Sequence, residues 1–223
     1  MLHAICYMNI VILGQAGSGK GTQAEILAER FGLEHFDAGK LLRQVAKMGG
    51  PLGQEVHEII NVRKELVPSR ILKEVIHIRL SDMPREKGIV FDGVPRNLEQ
   101  AEYFSSVLRE FGRKIDKVFF VNIPEGESVR RISSRRVCEA CRKVFIMGKD
   151  VKEESDPCPS CGGKLSHRID DTAEGVKKRL DVFEKETMAV IGYYREQGIL
   201  EEIDGCQSIG KVSENIAKKV KDL

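Results

Sequence analysis

The sequence predicts a doubly wound α/β fold, a parallel sheet with helices on both faces. Three observations predict it. Short, β-rich and nearly continuous apolar runs recur along the chain, as they do in strands buried on both faces. Amphipathic stretches with helical spacing separate those runs, and this alternation is the mark of βαβ units. A glycine-rich turn joins the first run to the first helix. The 223 residues suffice for one large domain or a core with small insertions.

Taken in order, the first strand is Asn9-Ile10-Val11-Ile12-Leu13 and the first helix runs from Thr22 to Phe31. From Asp37 to Pro68 the pattern holds helices, including Leu52 to Asn61, but no strand, and it breaks at Gly49-Gly50-Pro51. That marks a small helical insert. A helix from Ser69 to Ser81 leads to the strand Ile89-Val90-Phe91, and a helix from Leu98 to Phe111 leads to a strand from Val118 to Ile123. From Val137 to Asp171 the chain turns to Cys, Gly, Pro and charge, too poor in apolar residues to fold without a metal. A long helix from about Thr172 to Gln197 follows, then a strand from Leu200 to Ile203. The last helix runs from about Ser208 to Leu223, with Val212, Ile216 and Val220 four apart on one face. The expected division is a core of 1–36, 69–136 and 172–223, a helical insert of 37–68 and a second insert of 137–171.

Charge narrows the partners. Thirty-six Lys and Arg stand against 34 Asp and Glu, so bulk charge offers no reason to expect a nucleic-acid or membrane partner, and any strong anion site must be local. No run approaches the ~18 consecutive apolar residues of a membrane span. Met1 to Tyr7 lacks the basic start and cleavage site of a signal peptide, so a cytoplasmic chain is expected. Nothing in the sequence demands more than a monomer.

Four of the six cysteines fall as Cys138-x2-Cys141 and Cys158-x2-Cys161, with 16 residues between the pairs. In a reducing compartment that spacing reads as a tetrahedral zinc site rather than two disulfides, a redox pair being the alternative. Four thiolates close the metal shell, which gives it a structural and not a catalytic role. Cys6 and Cys206 stand alone and read as passive residues.

The stretch Gly14-Gln15-Ala16-Gly17-Ser18-Gly19-Lys20-Gly21-Thr22 has the G-x4-G-K spacing of a phosphate-binding loop. Its glycines let backbone N–H groups turn inward around an oxyanion, the helix N-terminus adds its dipole, and Lys20 brings a mobile cation. Position 21 is Gly where most such loops carry the hydroxyl residue that holds Mg²⁺, and the hydroxyl comes one place later at Thr22. The loop implies a nucleotide polyphosphate. The second informative stretch is Asp92-Gly93-Val94-Pro95-Arg96, directly after a strand. An Asp there sits beside the crevice where ligands of this fold bind, and it can accept from Mg²⁺-bound water; a plain turn-forming Asp is the other reading. Arg131 and Arg135 are expected four apart on one helix face, Arg168 and Arg179 flank the end of the cysteine segment, and Arg43 lies in the helical insert. Arg130, Arg136, Arg142 and Lys143 read as solvated surface charge. Such an excess of cation beside a phosphate loop suits phosphoryl transfer.

With GQAGSGKGT, DGVPR, the S-R-R-V-C of Ser134 to Cys138 and the C-G-G-K-L-S-H-R-I-D-D of Cys161 to Asp171 together, the chain resembles the adenylate kinases. The likeness is to the long-lid bacterial type whose lid carries a structural zinc, and it runs from about Met8 to the C-terminus. It implies a P-loop core, a helical insert for the nucleoside monophosphate and a lid that closes over ATP, with the reaction ATP + AMP ⇌ 2 ADP and Mg²⁺. It implies that Gly14, Ala16, Gly17, Ser18, Gly19, Lys20, Gly21 and Thr22 hold the ATP phosphates. Ala38, Arg43, Gly93 and Arg96 would line the AMP site, with Gln100 reading the adenine edge. Arg131, Arg135, Arg168 and Arg179 would clamp phosphates as the lid closes, Asp92 would orient hydrated Mg²⁺, and Cys138, Cys141, Cys158 and Cys161 would hold the zinc. Asp170 and Asp171 match an acidic pair at the lid hinge, or else cap the following helix.

The chain departs from that pattern in places. Ala38-Gly39-Lys40 stands where a Thr-Gly-Asp is usual, Ala16 replaces an expected Pro and Val94 an expected Phe. Ala38 and Asn97 lean toward the uridylate/cytidylate kinases, so a UMP or CMP acceptor with the same chemistry is the alternative. A third reading makes the four-cysteine segment a zinc ribbon gripping nucleic acid, supported only by the basic run from Arg130 to Lys143.

Overall fold

The computed structural model describes residues 7–63, 65–168 and 171–222. Met1 to Cys6, Asp170 and Leu223 lie outside the described residues. The strands are β1 (Asn9–Leu13), β2 (Glu34–Asp37), β3 (Ile89–Asp92), β4 (Lys117–Asn122), β5 (Arg135–Cys138), β6 (Val144–Ile146), β7 (Leu165–Ser166) and β8 (Leu200–Asp204). Five of them form one parallel sheet in the order β2-β3-β1-β4-β8. The chain leaves β1 toward one edge and returns to its other side at β4, so the crevice for a ligand opens at the C-terminal end of β1.

Alternation along the strands feeds two apolar layers. Val11, Leu13, Phe91 and Phe120 face one side, where they pack with Phe104 and Tyr194. Those two come from α5 (Leu98–Glu110) and α8 (Met188–Glu196), with α4 (Ser69–Ser81) beside them. Ile10, Ile12, Val90, Phe119 and Val121 face the other side, against Leu27, Val212 and Ile216. Those belong to α1 (Lys20–Phe31) and α9 (Ile209–Lys221). The four strands read from apolar runs are all present. The fifth, β2, was not expected, because of its four residues only Phe36 is buried. It is an edge strand whose register with β3, not its composition, makes it a strand.

Between β2 and α4 lie α2 (Ala38–Val45) and α3 (Pro51–His57), which runs on into a π turn at Glu58–Arg63. The long helix expected before β8 is α7 (Ala173–Val182), a π turn at Phe183–Thr187 and then α8. The cysteine segment folds as a separate antiparallel sheet, β6-β5-β7. Its apolar cluster is small: Cys138, Val151, Cys158 and Leu165, with Phe145 and Met147 packed on them.

Two expectations are corrected here. Arg131 and Arg135 do not share a helix face. The helix α6 (Glu125–Ser133) ends before Arg135, which opens β5. The hydroxyls of Ser133 and Ser134 turn back to the carbonyls of Val129 and Arg130 and close the helix end. Arg136 is not a solvated charge but buried, donating to the carbonyls of Ser133 and Arg135 and paired with Glu154.

Candidate active site

The loop after β1 is shaped by its glycines and braced by α6. Gly17 and Gly19 hold φ of 80° and 89°, which residues with a Cβ rarely adopt. Gly19 begins α1 without a side-chain cap, and no acid lies in the first turn, so the helix N–H groups and dipole stay open to an anion. Gln15 Nε2 donates to Ile123 O (2.8 Å), and the buried Ser128 hydroxyl donates to Ala16 O. The Ser18 hydroxyl is buried against Gly14 and has no hydrogen-bond partner among the described residues.

Arg131 belongs to this bracing. Its Nε donates to Glu127 at 2.6 Å, and its terminal nitrogens donate to the carbonyls of Gly17 (3.5 Å) and Gly205 (2.9 Å). It ties the phosphate loop to the turn after β8. Glu127 accepts from both Arg130 and Arg131, and those bonds hold its carboxyl down at about 2. Neither Glu127 nor Ser128 stood out in the sequence, since a helix face carrying Glu and Ser looks like surface until the loop is seen beneath it.

A second group gathers over the strand ends. Lys20 opens α1, and burial lowers its pKa to about 8. Asp92 pulls that value back up, while the guanidinium groups of Arg96, Arg135 and Arg168 add repulsion. Asp92 ends β3, is buried, and has its carboxyl pushed above the usual range by burial, with Lys20 opposing the rise. Its Oδ1 has no hydrogen-bond partner among the described residues. The glycine at position 21 is explained by the same carboxylate: a Cβ there would stand 3.0 Å from Asp92 Oδ2, closer than side chains normally pack. Thr22 is exposed.

Arg96 is fixed on several sides. Its Nε donates to Gly93 O (2.8 Å), its own N–H donates to Gln100 Oε1 (2.9 Å), and its carbonyl accepts from Thr187 Oγ1 (2.9 Å). The Val94–Pro95 peptide before it is cis. Gln100 is buried, so its amide is used locally, with Nε2 also donating to Val67 O (3.4 Å). Asn97 caps α5 by accepting from Gln100 N (2.9 Å), which accounts for that residue without reference to any base. Arg43 reaches back over the start of α2, its NH1 lying 3.0 Å from where a Cβ on Gly39 would stand. The buried Ala38 lies beside Gly93 and Arg96. Lys40 is exposed.

The link to the small sheet is a buried carboxylate. Asp171 has no exposed side-chain surface and accepts from Arg135 and from Arg179 (2.7 Å), while its N–H donates to Arg168 O (3.0 Å). It does not cap α7; Thr172 does, accepting from Gly175 N (3.1 Å). Arg135 from β5, Arg179 from α7 and Arg168 thus meet near one acid. Arg168 and Arg179 also act on Arg96, whose basicity burial lowers. The structure therefore brings Lys20, Asp92, Arg96, Arg135, Arg168 and Arg179 into one electrostatic neighbourhood, whereas Arg131 is engaged with Glu127 and the carbonyls of Gly17 and Gly205.

Around the small sheet the four thiols converge, with Cys138 and Cys158 buried and Cys141 and Cys161 exposed. Cys138 Sγ lies 3.5 Å from Cys161 Sγ and Cys141 Sγ 3.6 Å from Cys158 Sγ, with all four within 4.8 Å of one another. A tetrahedron with Zn–S of ~2.3 Å requires S–S of ~3.8 Å, so the donor set fits a tetrahedral soft-ligand ion. The backbone N–H of Cys141 donates to Cys138 Sγ and holds that thiol down at about 6. Among the described residues no helix is long and apolar enough to cross a membrane.

A parallel sheet whose first strand runs into an uncapped phosphate loop, with cations gathered over the neighbouring strand ends, defines a P-loop phosphotransferase. Comparison with known proteins narrows the class. The family model described as adenylate kinase matches residues 12–199. An adenylate kinase of Archaeoglobus fulgidus is 39% identical over 217 residues, covering 96% of this chain and 100% of that protein. One from Kosmotoga olearia is 40% identical, covering 97% and 100%, and one from Syntrophomonas wolfei is 35% identical, covering 97% and 100%. The chain belongs to the adenylate kinase family, the ATP:AMP phosphotransferases.

Proposed function

We propose that the protein catalyses reversible, Mg²⁺-dependent transfer of the terminal phosphoryl group of ATP to AMP, within a site that two mobile inserts close against water. The observation that supports this reading is the approach of Lys20 and Arg96 to the buried Asp92 at the strand ends, with Arg135, Arg168 and Arg179 close enough to act on one or other of those two cations. Two anionic substrates repel, and positioned cations must offset that repulsion and follow the charge of the moving phosphoryl group.

In this reading the backbone from Gly14 to Thr22 wraps the ATP phosphates, with Lys20 at the transferred group. Arg43 and Arg96 hold the AMP phosphate, and Ala38, Gly93 and Gln100 border the base. Arg135, Arg168 and Arg179 reach the phosphates from the lid side. Asp171 keeps those arginines aligned until the anions displace it, and Arg131 fixes the loop and the floor of the ATP site. The lowered pKa of Lys20 has a use here: burial disfavours the ammonium in the empty site, and a bound phosphate favours it, so the anion offsets a cost that the free protein carries. Closure excludes the water that would otherwise accept the phosphoryl group. The moving parts are the helical insert of 37–68 and the lid of 137–171, on a core of the remaining residues.

Two metals fit. The unpartnered, buried Asp92 Oδ1 suits a hard cation held through its waters, and Mg²⁺ supplies charge neutralisation on the ATP phosphates. Cys138, Cys141, Cys158 and Cys161 suit Zn²⁺, which supplies a rigid cross-link where the apolar core is small. A monomeric cytoplasmic enzyme whose partners are ATP, AMP and ADP, without nucleic acid or membrane, completes the proposal. The test is an acceptor panel, measuring ADP formation from ATP with AMP, UMP or CMP. AMP is expected to turn over fastest; faster UMP or CMP would move the chain to the pyrimidine acceptors, and no turnover with any of them would overturn the reading.

A further inference from the structure

We propose that Asp37 is a second carboxylate of the divalent-cation site, sharing with Asp92 the hydration shell of the metal that accompanies the nucleotide. This rests on the phosphoryl-transfer reading above. Parallel register places Asp37 opposite Asp92, and each is the last residue of its strand. Strand alternation turns both residues away from the layer that takes Phe36 and Phe91; Asp92 meets the start of α1 at Gly21, and Asp37 bends over the start of α2 to Lys40 N. Neighbouring strands lie ~4.8 Å apart, a spacing that one hydrated cation can bridge through its waters.

A second observation points to a ligand. Asp92 is 6% exposed, and its Oδ1 finds no donor among the described residues. A buried carboxylate oxygen without a partner is costly unless a bound group supplies the hydrogen bond. His35 Nε2, 3.9 Å from Asp92 Oδ2, is likewise buried without a hydrogen-bond partner. The chain also places a lysine at position 40, where the resemblance leads one to expect an acid, and Asp37 returns a negative charge to the same turn. Asp37 already caps α2, its Oδ1 accepting from Lys40 N at 2.8 Å. A carboxylate offers about four lone-pair sites, so capping leaves acceptor capacity for metal-bound water.

The capping role makes the test clean. Asp37→Asn and Asp37→Ser both keep a good N-cap acceptor and remove the charge. Mn²⁺, read by the electron paramagnetic resonance signal of the free ion, is titrated into protein with saturating ADP. Both variants are expected to retain Mn²⁺ about tenfold more weakly than the wild type, the loss typical of a ligand's hydrogen-bonded supporting group, with metal-free AMP affinity unchanged. Equal Mn²⁺ retention in wild type and variants overturns the assignment. So does a change confined to AMP affinity, which would make Asp37 a counter-ion for Arg43 or Arg96. If the wild type itself retains no Mn²⁺ with ADP, the phosphoryl-transfer reading falls, and Asp37 with it.

Discussion

The two sheets of this molecule are held together by different means. The parallel sheet lies between two apolar layers, and Ile10, Val11, Ile12, Phe91 and Phe119 at its centre have no exposed surface. The β6-β5-β7 sheet has three short strands and a core of four buried residues, two of which are cysteines. Apolar burial contributes ~25 cal/mol per Å², so the first sheet is stabilised by its own side chains and the second lacks the area to match. The difference teaches why the cysteines are where they are. If the segment closes over a ligand as proposed, a large shared core would hinder it, whereas a metal on the thiol cluster would stiffen it without attaching it to the rest. The contact between the two regions is instead polar, through Arg135, Asp171 and Arg179.

The strongest way to break the contrast is inside the large core. Phe91→Ala is expected to cost about 3–5 kcal/mol, because Phe91 packs edge-on to Phe104 and against Phe36. Chemical denaturation read by far-ultraviolet circular dichroism checks it, and a loss under 1 kcal/mol would mean the layer is not continuous.

Next in size is the chemistry. Lys20→Met should lower the rate of ADP formation by ~10²–10³ while leaving the unfolding midpoint unchanged or higher. A buried ammonium costs the free protein stability, which is why its pKa lies near 8, and methionine fills similar space.

The smallest expected effect is a pH dependence that sharpens the same point. The folded pKa of Lys20, about 8, lies below the ordinary 10.5, so the unfolded chain holds more protons between those values and stability rises with pH across that window. Nucleotide binding has the opposite sign. Phosphate favours the protonated lysine, so ATP affinity should fall by up to ~10-fold per pH unit above about pH 8. Calorimetric titration from pH 7 to 9.5 reads it, and a flat profile would place the ammonium away from the phosphates.

Much of this was legible in the sequence, for reasons that differ by residue. The continuous apolar strands, the G-x4-G-K loop and the paired cysteines are local patterns whose spacing alone carries the physics. What escaped depends on partners far along the chain. Glu34–Asp37 contains Glu, His and Asp and becomes a strand only through its register with β3. Arg135 follows Ser133-Ser134 with no Gly or Pro to signal the end of the helix, and its strand identity comes from pairing with residues near 146. Arg136 looks like one more surface cation until Glu154, eighteen residues on, covers it. Asp171 has the sequence context of a helix cap, yet the cap is its neighbour Thr172, and the acid serves two arginines instead.

The central claim is that the small sheet depends on its thiol cluster and the large sheet does not. Hydrogen–deuterium exchange before and after removal of bound metal with a thiol-competitive chelator tests it directly. Amides of residues 135–166 should lose most of their protection, while those of Asn9–Leu13, Ile89–Asp92 and Lys117–Asn122 keep theirs. Unchanged protection in 135–166, or an equal loss in both sheets, would contradict the account.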